Sequence, residues 1–389
     1  MRTPLIATST VLLALTTYGT SCRGGKPIVE IEATAEPTSV LRDGSLVGVA
    51  DVVTIDSGCA TSTTRGQLRP SNLLFVLDRS GSMACNLPED GQSSQSCGTF
   101  PVALFPDRPS KWDLTRNSVV QAISELRSAG TVRVGLMLFP KADSRCSVSD
   151  EPDIPIAPLD DAAEQNFVDT LSTVAPGGET PIAGATIMSY AHLLDRMRKG
   201  EVDGETFVIV VTDGYETCKT SEIPKLLGLD VPNARDLLFV RTFVIGVPGS
   251  DLGRAFLSEF AVAGATERDG NCTYGPAASD GNCHYDMTAS LNFSTDLLDA
   301  LTRINSEVMA CTIDVPSARN GGPVNLQEVN VTVNGTNWSM VKGETCRGYD
   351  GWRYVNDFSS IQLCGEACHS AKQKGAAVTI ILGCPTTIQ

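Results

Sequence analysis

Asp78, Ser80 and Ser82 alternate along one short stretch, Leu73-Leu74-Phe75-Val76-Leu77-Asp78-Arg79-Ser80-Gly81-Ser82-Met83. One carboxylate and two hydroxyls are hard oxygen donors, an incomplete shell for a divalent cation such as Mg2+. The five apolar residues before Asp78 form a run bounded by turn residues, which reads as a strand buried on both faces of a parallel sheet. Asp78 would then lie at the carboxyl end of that strand, the edge where open α/β sheets place their ligands. Asp-x-Ser-x-Ser alone is a pattern that chance supplies in 389 residues. Other stretches must bring the remaining donors.

Two stretches qualify. Pro176-Gly177-Gly178-Glu179-Thr180-Pro181 reads as a sharp loop opening a helix, with Thr180 as its N-cap and Pro181 at the first helical position. A second apolar strand over 207–211 ends in Thr212-Asp213-Gly214. In a doubly wound sheet all three loops open on one edge, so Asp78, Ser80, Ser82, Thr180 and Asp213 would surround one point. Only two of the five are charged, enough to balance a divalent ion while the hydroxyls leave it electrophilic. Glu179 and Glu216 beside them are expected to be solvated, with Glu216 able to adjust the field of the site. Each residue also has a plainer reading: Thr180 as a cap only, Ser80 and Ser82 as turn residues, Asp213-Gly214 as a turn dipeptide.

The elements that would position these residues follow from periodicity. Trp112, Val119, Val120, Ile123 and Leu126 share one helical face ending at Gly130, and a strand is expected over 131–139. Helices are expected over 160–174, from Thr180 to Met197, over 222–229, 252–262 and 296–309, with strands over 237–247 and near 284–287. Strands alternating with helices predict an α/β fold with a doubly wound, mostly parallel sheet and right-handed crossovers. After Cys311 short β runs replace this pattern, and five cysteines fall in the last 79 residues. That composition predicts a small disulfide-rich β domain. The expected organisation is a signal peptide over 1–21, an N-terminal linker with a short β segment over 22–70, the α/β domain over 71–309 and the Cys-rich β domain over 310–389.

Residues 71–309, about three-fifths of the chain, resemble a von Willebrand factor A domain with its metal-ion-dependent adhesion site. That motif is Asp-x-Ser-x-Ser, a distant Thr and an Asp ending a later strand, matched by Asp78, Ser80, Ser82, Thr180 and Asp213. The resemblance implies Mg2+ (or Mn2+ or Ca2+) at these residues. Ser80, Ser82 and Thr180 would touch the ion, with Asp78 and Asp213 acting directly or through water. It also implies a protein partner whose Asp or Glu carboxylate completes the shell. The segment over 85–110, with loop composition, departs from the shorter family loops. It is expected to overhang the binding face and to take part in partner choice.

Net charge is −15, which argues against a nucleic-acid partner, since phosphate binding needs concentrated basic surface. A short apolar stretch after Met1-Arg2 reads as a secretory leader rather than a spanning helix, which needs about 20 residues. Thirteen cysteines are an odd number for a secreted chain. Gly19-Thr20-Ser21-Cys22 resembles the lipobox of bacterial lipoproteins, lacking the usual Leu three positions before the cysteine. Cys22 is therefore the candidate lipid anchor and the one expected membrane contact, on a chain exported across the inner membrane to the outer membrane or cell surface. Proximity pairs Cys85 with Cys97 and Cys272 with Cys283, and Cys146 and Cys218 are expected on the same edge as the site. No catalytic residue is proposed: His192, His284 and His369 lie outside zinc-site spacing, and Gly-x-Ser-x-Gly and phosphate-loop motifs are lacking. The rival reading is a metal-dependent hydrolase or phosphatase using the same oxygens, although the haloacid dehalogenase type needs an Asp where Ser80 stands. A structural surface protein with a vestigial site is the other.

Overall fold

In the computed structural model, β2 (Ser71–Asp78) is one of the two central strands of a six-stranded sheet, and all of its side chains are buried. The structure describes residues 62–388 except 130–131, 269, 275–280, 309–310, 318–323, 343–345, 347–348, 356–357 and 374. The expected leader, Cys22 and Cys59 lie outside the described residues. In chain order the elements are β1 (Ser62–Gly66), β2 (Ser71–Asp78), α1 (Ser94–Thr99), α2 (Lys111–Ala129), β3 (Val132–Phe139), β4 (Ile154–Pro158), α3 (Asp161–Thr173), α4 (Ile182–Arg198) and β5 (Glu205–Thr212). They continue with α5 (Ile223–Lys225), α6 (Val231–Leu238), β6 (Val240–Gly246), α7 (Arg254–Ala263), β7 (Tyr285–Asp286) and α8 (Phe293–Val308).

The sheet order is β4-β3-β2-β5-β6-β7, parallel throughout except for β4. This is the expected α/β, mostly parallel architecture. Period-two alternation along β2 feeds two cores. Leu73, Phe75 and Leu77 pack with α2, α3 and α8 on one face. Leu74 and Val76 pack with α4, α6 and α7 on the other. Each such side chain stabilises the fold by about 1.5–3 kcal/mol relative to exposure. From β2 the chain crosses to β3 on one side, and from β5 it crosses to β6 on the other. The crevice between the carboxyl ends of β2 and β5 is thus the topological switch point.

Several elements differ from expectation. Ile-Pro-Ile-Ala-Pro forms the antiparallel edge strand β4; its two prolines mask the strand signal and are tolerated because the strand is at the edge. Leu237 and Leu238 end α6 instead of opening β6, because the reversal falls at Phe239 in the left-handed region, with no glycine to mark it. The expected helix over 222–229 is α5 followed by a π-helical turn over Leu226–Asp230 that runs into α6.

The C-terminal region holds β8 (Thr312–Asp314), β9 (Val329–Val333), β10 (Thr336–Trp338), β11 (Gly351–Val355), β12 (Ser360–Cys364), α9 (Gly365–Ala371) and β13 (Val378–Leu382). Two antiparallel sheets, β1-β13-β9-β10 and β11-β12-β8, enclose a core around Trp352, whose indole N–H donates to the Trp338 carbonyl at 2.9 Å. Disulfides Cys311–Cys368 and Cys346–Cys364 staple it. Ser62–Gly66, read from sequence as the end of a linker, pairs along its length with β13 in this second sheet. That pairing joins residues more than 300 positions apart, beyond the reach of any local pattern. No helix among the described residues is long and apolar enough to cross a membrane.

His284, just before β7, is fully buried, with Nδ1 2.8 Å from the Ser258 hydroxyl. Burial holds its imidazole down at about 4, outweighing the nearby Asp286 carboxylate, and Arg254 adds to the depression. The unfolded chain takes up this proton below about 6.5 and the folded chain only below about 4, so folding stability falls as pH drops through that window. His284 should cost roughly 3 kcal/mol between pH 7 and pH 4. Urea midpoints should therefore fall less steeply with acidification in His284→Asn than in wild type.

Candidate metal centre

Asp78 closes β2, and its carboxylate is fully buried. Oδ1 accepts the Ser80 backbone N–H at 2.7 Å, and Oδ2 accepts the Thr212 hydroxyl from the end of β5 at 2.5 Å. The Ser80 and Ser82 hydroxyls are 3.1 Å apart, and Ser82 Oγ donates to Asp213 Oδ1 at 2.7 Å. Two hydrogen-bonded sets, Ser80–Ser82–Asp213 and Asp78–Thr212, therefore link the loop after β2 to the end of β5.

Thr180 is brought in by backbone pairing. Gly177 N–H donates to the Arg79 carbonyl at 2.8 Å, and Gly81 N–H donates to the Gly178 carbonyl at 3.0 Å. Gly178 has φ +83°, and a Cβ there would lie 2.5 Å from the Ser144 carbonyl, so this approach needs glycine. Thr180 N–H donates to Thr217 Oγ1 at 2.9 Å, and its hydroxyl lies against Gly214, next to Asp213. The Cys146–Cys218 disulfide ties the loop after β3 to the loop carrying Thr217. Cys85–Cys97 and Cys272–Cys283 are also formed.

Two expectations are corrected. Thr180 is not the N-cap of α4; Pro181 takes that position and no side chain caps it. Glu216 is neither solvated nor aimed at the site. It is fully buried, accepting Ala183 N–H at one oxygen and the Cys218 and Lys219 N–H groups at the other. It anchors the start of α4, where a carboxylate is favoured by the helix dipole. Glu179 pairs with Arg145 on the surface, and Arg79 reaches away from the site to the Ala175 carbonyl.

Lys111, the first residue of α2, was not singled out from sequence. Its Nζ donates to Asp213 Oδ2 at 2.6 Å, with both side chains buried. A lysine opening a helix runs against the dipole, which was the one weak signal available.

The donor set fits a hard divalent cation: two carboxylates and three hydroxyls, all oxygen. Burial first, then the facing Asp213 charge, pushes Asp78 up to about 7. Without a cation the Asp78 carboxyl resists ionising beside Asp213. Among the described residues no three His, Cys, Asp or Glu side chains gather around one point.

A mostly parallel sheet with these oxygen side chains at the switch point defines a doubly wound α/β domain with a candidate ligand site on its carboxyl edge. The von Willebrand factor type A domain matches residues 72–274, more than half of the chain, and the chain belongs to that family. It is 26% identical over 188 residues to the uncharacterized protein YwmC of Bacillus subtilis (strain 168), covering 48% of this chain and 74% of that protein. Similar solved structures include the PilB minor pilin from Streptococcus sanguinis, at 14% identity and TM-score 0.41, covering 63% of this chain and 62% of that one. The von Willebrand factor type A protein from Catenulispora acidiphila shares 12% identity at TM-score 0.39, covering 84% and 61%. The pilus adhesin SpaC from Lactobacillus rhamnosus GG shares 11% at TM-score 0.41, covering 82% and 40%. The chain thus spans about three-fifths of the length of the first two and two-fifths of the third.

Proposed function

We propose that the chain is an exported binding module that holds a divalent cation, Mg2+ or alternatively Mn2+ or Ca2+, through Asp78, Ser80, Ser82, Thr180 and Asp213. When bound, the ion offers an electrophilic position that takes an Asp or Glu carboxylate of a protein partner. The observation that carries this reading is the convergence at the switch point of two hydrogen-bonded sets, Ser80–Ser82–Asp213 and Asp78–Thr212, with Thr180 alongside. The surrounding side chains do the positioning. Ser80 N–H and Thr212 orient the Asp78 carboxylate, while Ser82 and Lys111 hold the two oxygens of Asp213.

The rim of the site supports a protein partner. The segment over 85–110 is ordered around buried Asn86, which accepts Phe105 N–H and donates to the carbonyls of Phe105, Arg108 and Pro109. Pro101 packs against Gly81 of the metal loop, and Ser94 Oγ donates to Asp251 at 2.6 Å. Phe100, Val102, Leu104 and Phe105 are nevertheless exposed, as are Tyr215 and Leu252 on the loops after β5 and β6. Apolar and aromatic side chains beside an electropositive centre suit a carboxylate flanked by apolar residues on the partner. The disulfides imply an oxidising compartment. Cys22 as lipid anchor completes the reading and is testable by mass spectrometry of the mature N-terminus.

Immobilised protein loaded with Mg2+ should retain a partner that EDTA releases, and exchange of Phe100 and Phe105 for Ser should weaken that retention. A partner held equally in EDTA would remove the adhesion mechanism, and Mg2+-dependent phosphate release from a phosphomonoester would favour the hydrolase instead.

A further inference from the structure

Lys111 is placed with more care than a surface lysine needs. Its side chain is 2% exposed, that of Asp213 is 0% exposed, and the contact between them is 2.6 Å. Three separate segments close around Nζ. The Cys97 sulfur of the 85–110 segment lies 3.9 Å away, Asp213 comes from the end of β5, and Gly249 comes from the loop after β6. Gly249 has φ +107°, and a Cβ there would stand 2.4 Å from Nζ, so this loop reaches the ammonium only because it carries glycine. The Lys111 backbone N–H is held by the Cys85 carbonyl at 2.8 Å. A buried cation at the unfavourable end of a helix breaks a local rule, and such breaks concentrate at functional sites.

The charge balance shows what the lysine changes. Asp78 and Asp213 together carry −2 when ionised, and Lys111 reduces this to −1. A divalent ion then brings the centre to +1, whereas the same shell without Lys111 would reach neutrality. Lys111 occupies one oxygen of Asp213 and leaves the other facing Ser82, so it acts on the ion through Asp213.

We propose that Lys111 is a built-in counter-cation of the centre, a positioning residue for Asp213. It weakens divalent-ion affinity and in exchange leaves the loaded site with a net positive charge for an incoming anion. The inference rests on the metal reading given above, and it predicts an effect of unusual sign. Lys111→Met should bind Mg2+ roughly tenfold or more tighter than wild type, since a unit positive charge is removed from beside the ion in a partly desolvated site. Lys111→Arg, which keeps the charge, should stay near wild type.

The test is isothermal titration of Mg2+ into the full chain, paired with thermal unfolding in EDTA and in Mg2+. Lys111→Met should melt below wild type in EDTA and show a larger Mg2+-induced rise. If that variant does not fold, Lys111→Gln, neutral yet still able to donate to Asp213, takes its place with the same expected direction. A merely structural lysine would lose stability and metal affinity together. Wild-type binding with equal or weaker binding by the neutral variants therefore overturns this inference alone. Absence of Mg2+ binding by wild type overturns the metal reading itself.

Discussion

Asp213→Ala should lower the free energy of unfolding by about 3–5 kcal/mol, measured by urea denaturation in the presence of EDTA. The variant strands the Lys111 ammonium, 2% exposed, in a pocket closed by Cys97 and Gly249, with no other carboxylate among the described residues paired to it. An uncompensated buried charge costs far more than the net worth of the pair it came from. The double variant Asp213→Ala with Lys111→Met should recover most of the loss, because it removes the charge that the first substitution exposes as unpaired. A loss below about 1 kcal/mol for Asp213→Ala would show that Lys111 finds water or another partner and is not locked in place.

Asp78→Ala should weaken Mg2+ binding by about a hundredfold or more in isothermal titration. The physical reason is again the charge balance. With Asp78 gone, Asp213 and Lys111 neutralise each other, and no net negative charge remains to hold a hard cation. The substitution also frees the Ser80 N–H and the Thr212 hydroxyl, so the loop geometry loosens. Ser82→Ala should be milder, about tenfold, because it removes a neutral donor and leaves both carboxylates. Binding by Asp78→Ala equal to wild type would place any ion elsewhere on the molecule. The hydrogen bonds lost with Asp78 also bear on stability, so far-ultraviolet circular dichroism of the variant should accompany the titration.

Much of the fold was legible because burial writes itself into local periodicity. The runs that became β2, β5 and β13 are apolar enough to be seen alone, and the 3.6-residue repeats of α2, α3, α4 and α8 carry their own signal. Elements whose stability comes from neighbours were not legible. β4 carries two prolines, β1 exists only through β13, and the turn at Phe239 lacks the residue type that normally marks it.

The same division runs through the site. Sequence alone picked out the candidate oxygen donors and their order, because Asp78, Ser80 and Ser82 alternate on one loop, Thr180 lies in the loop before a helix and Asp213 directly follows an apolar strand. It also determined the short-range cysteine pairs, which proximity dictates. Tertiary structure decided what those donors face. It turned Glu216 inward to anchor α4, released Thr180 from capping, enlisted Thr212 to hold Asp78, and brought Lys111 across 102 positions to Asp213. A donor's identity is a property of one residue, but the charge around it is a sum over groups that only folding brings within a few ångströms.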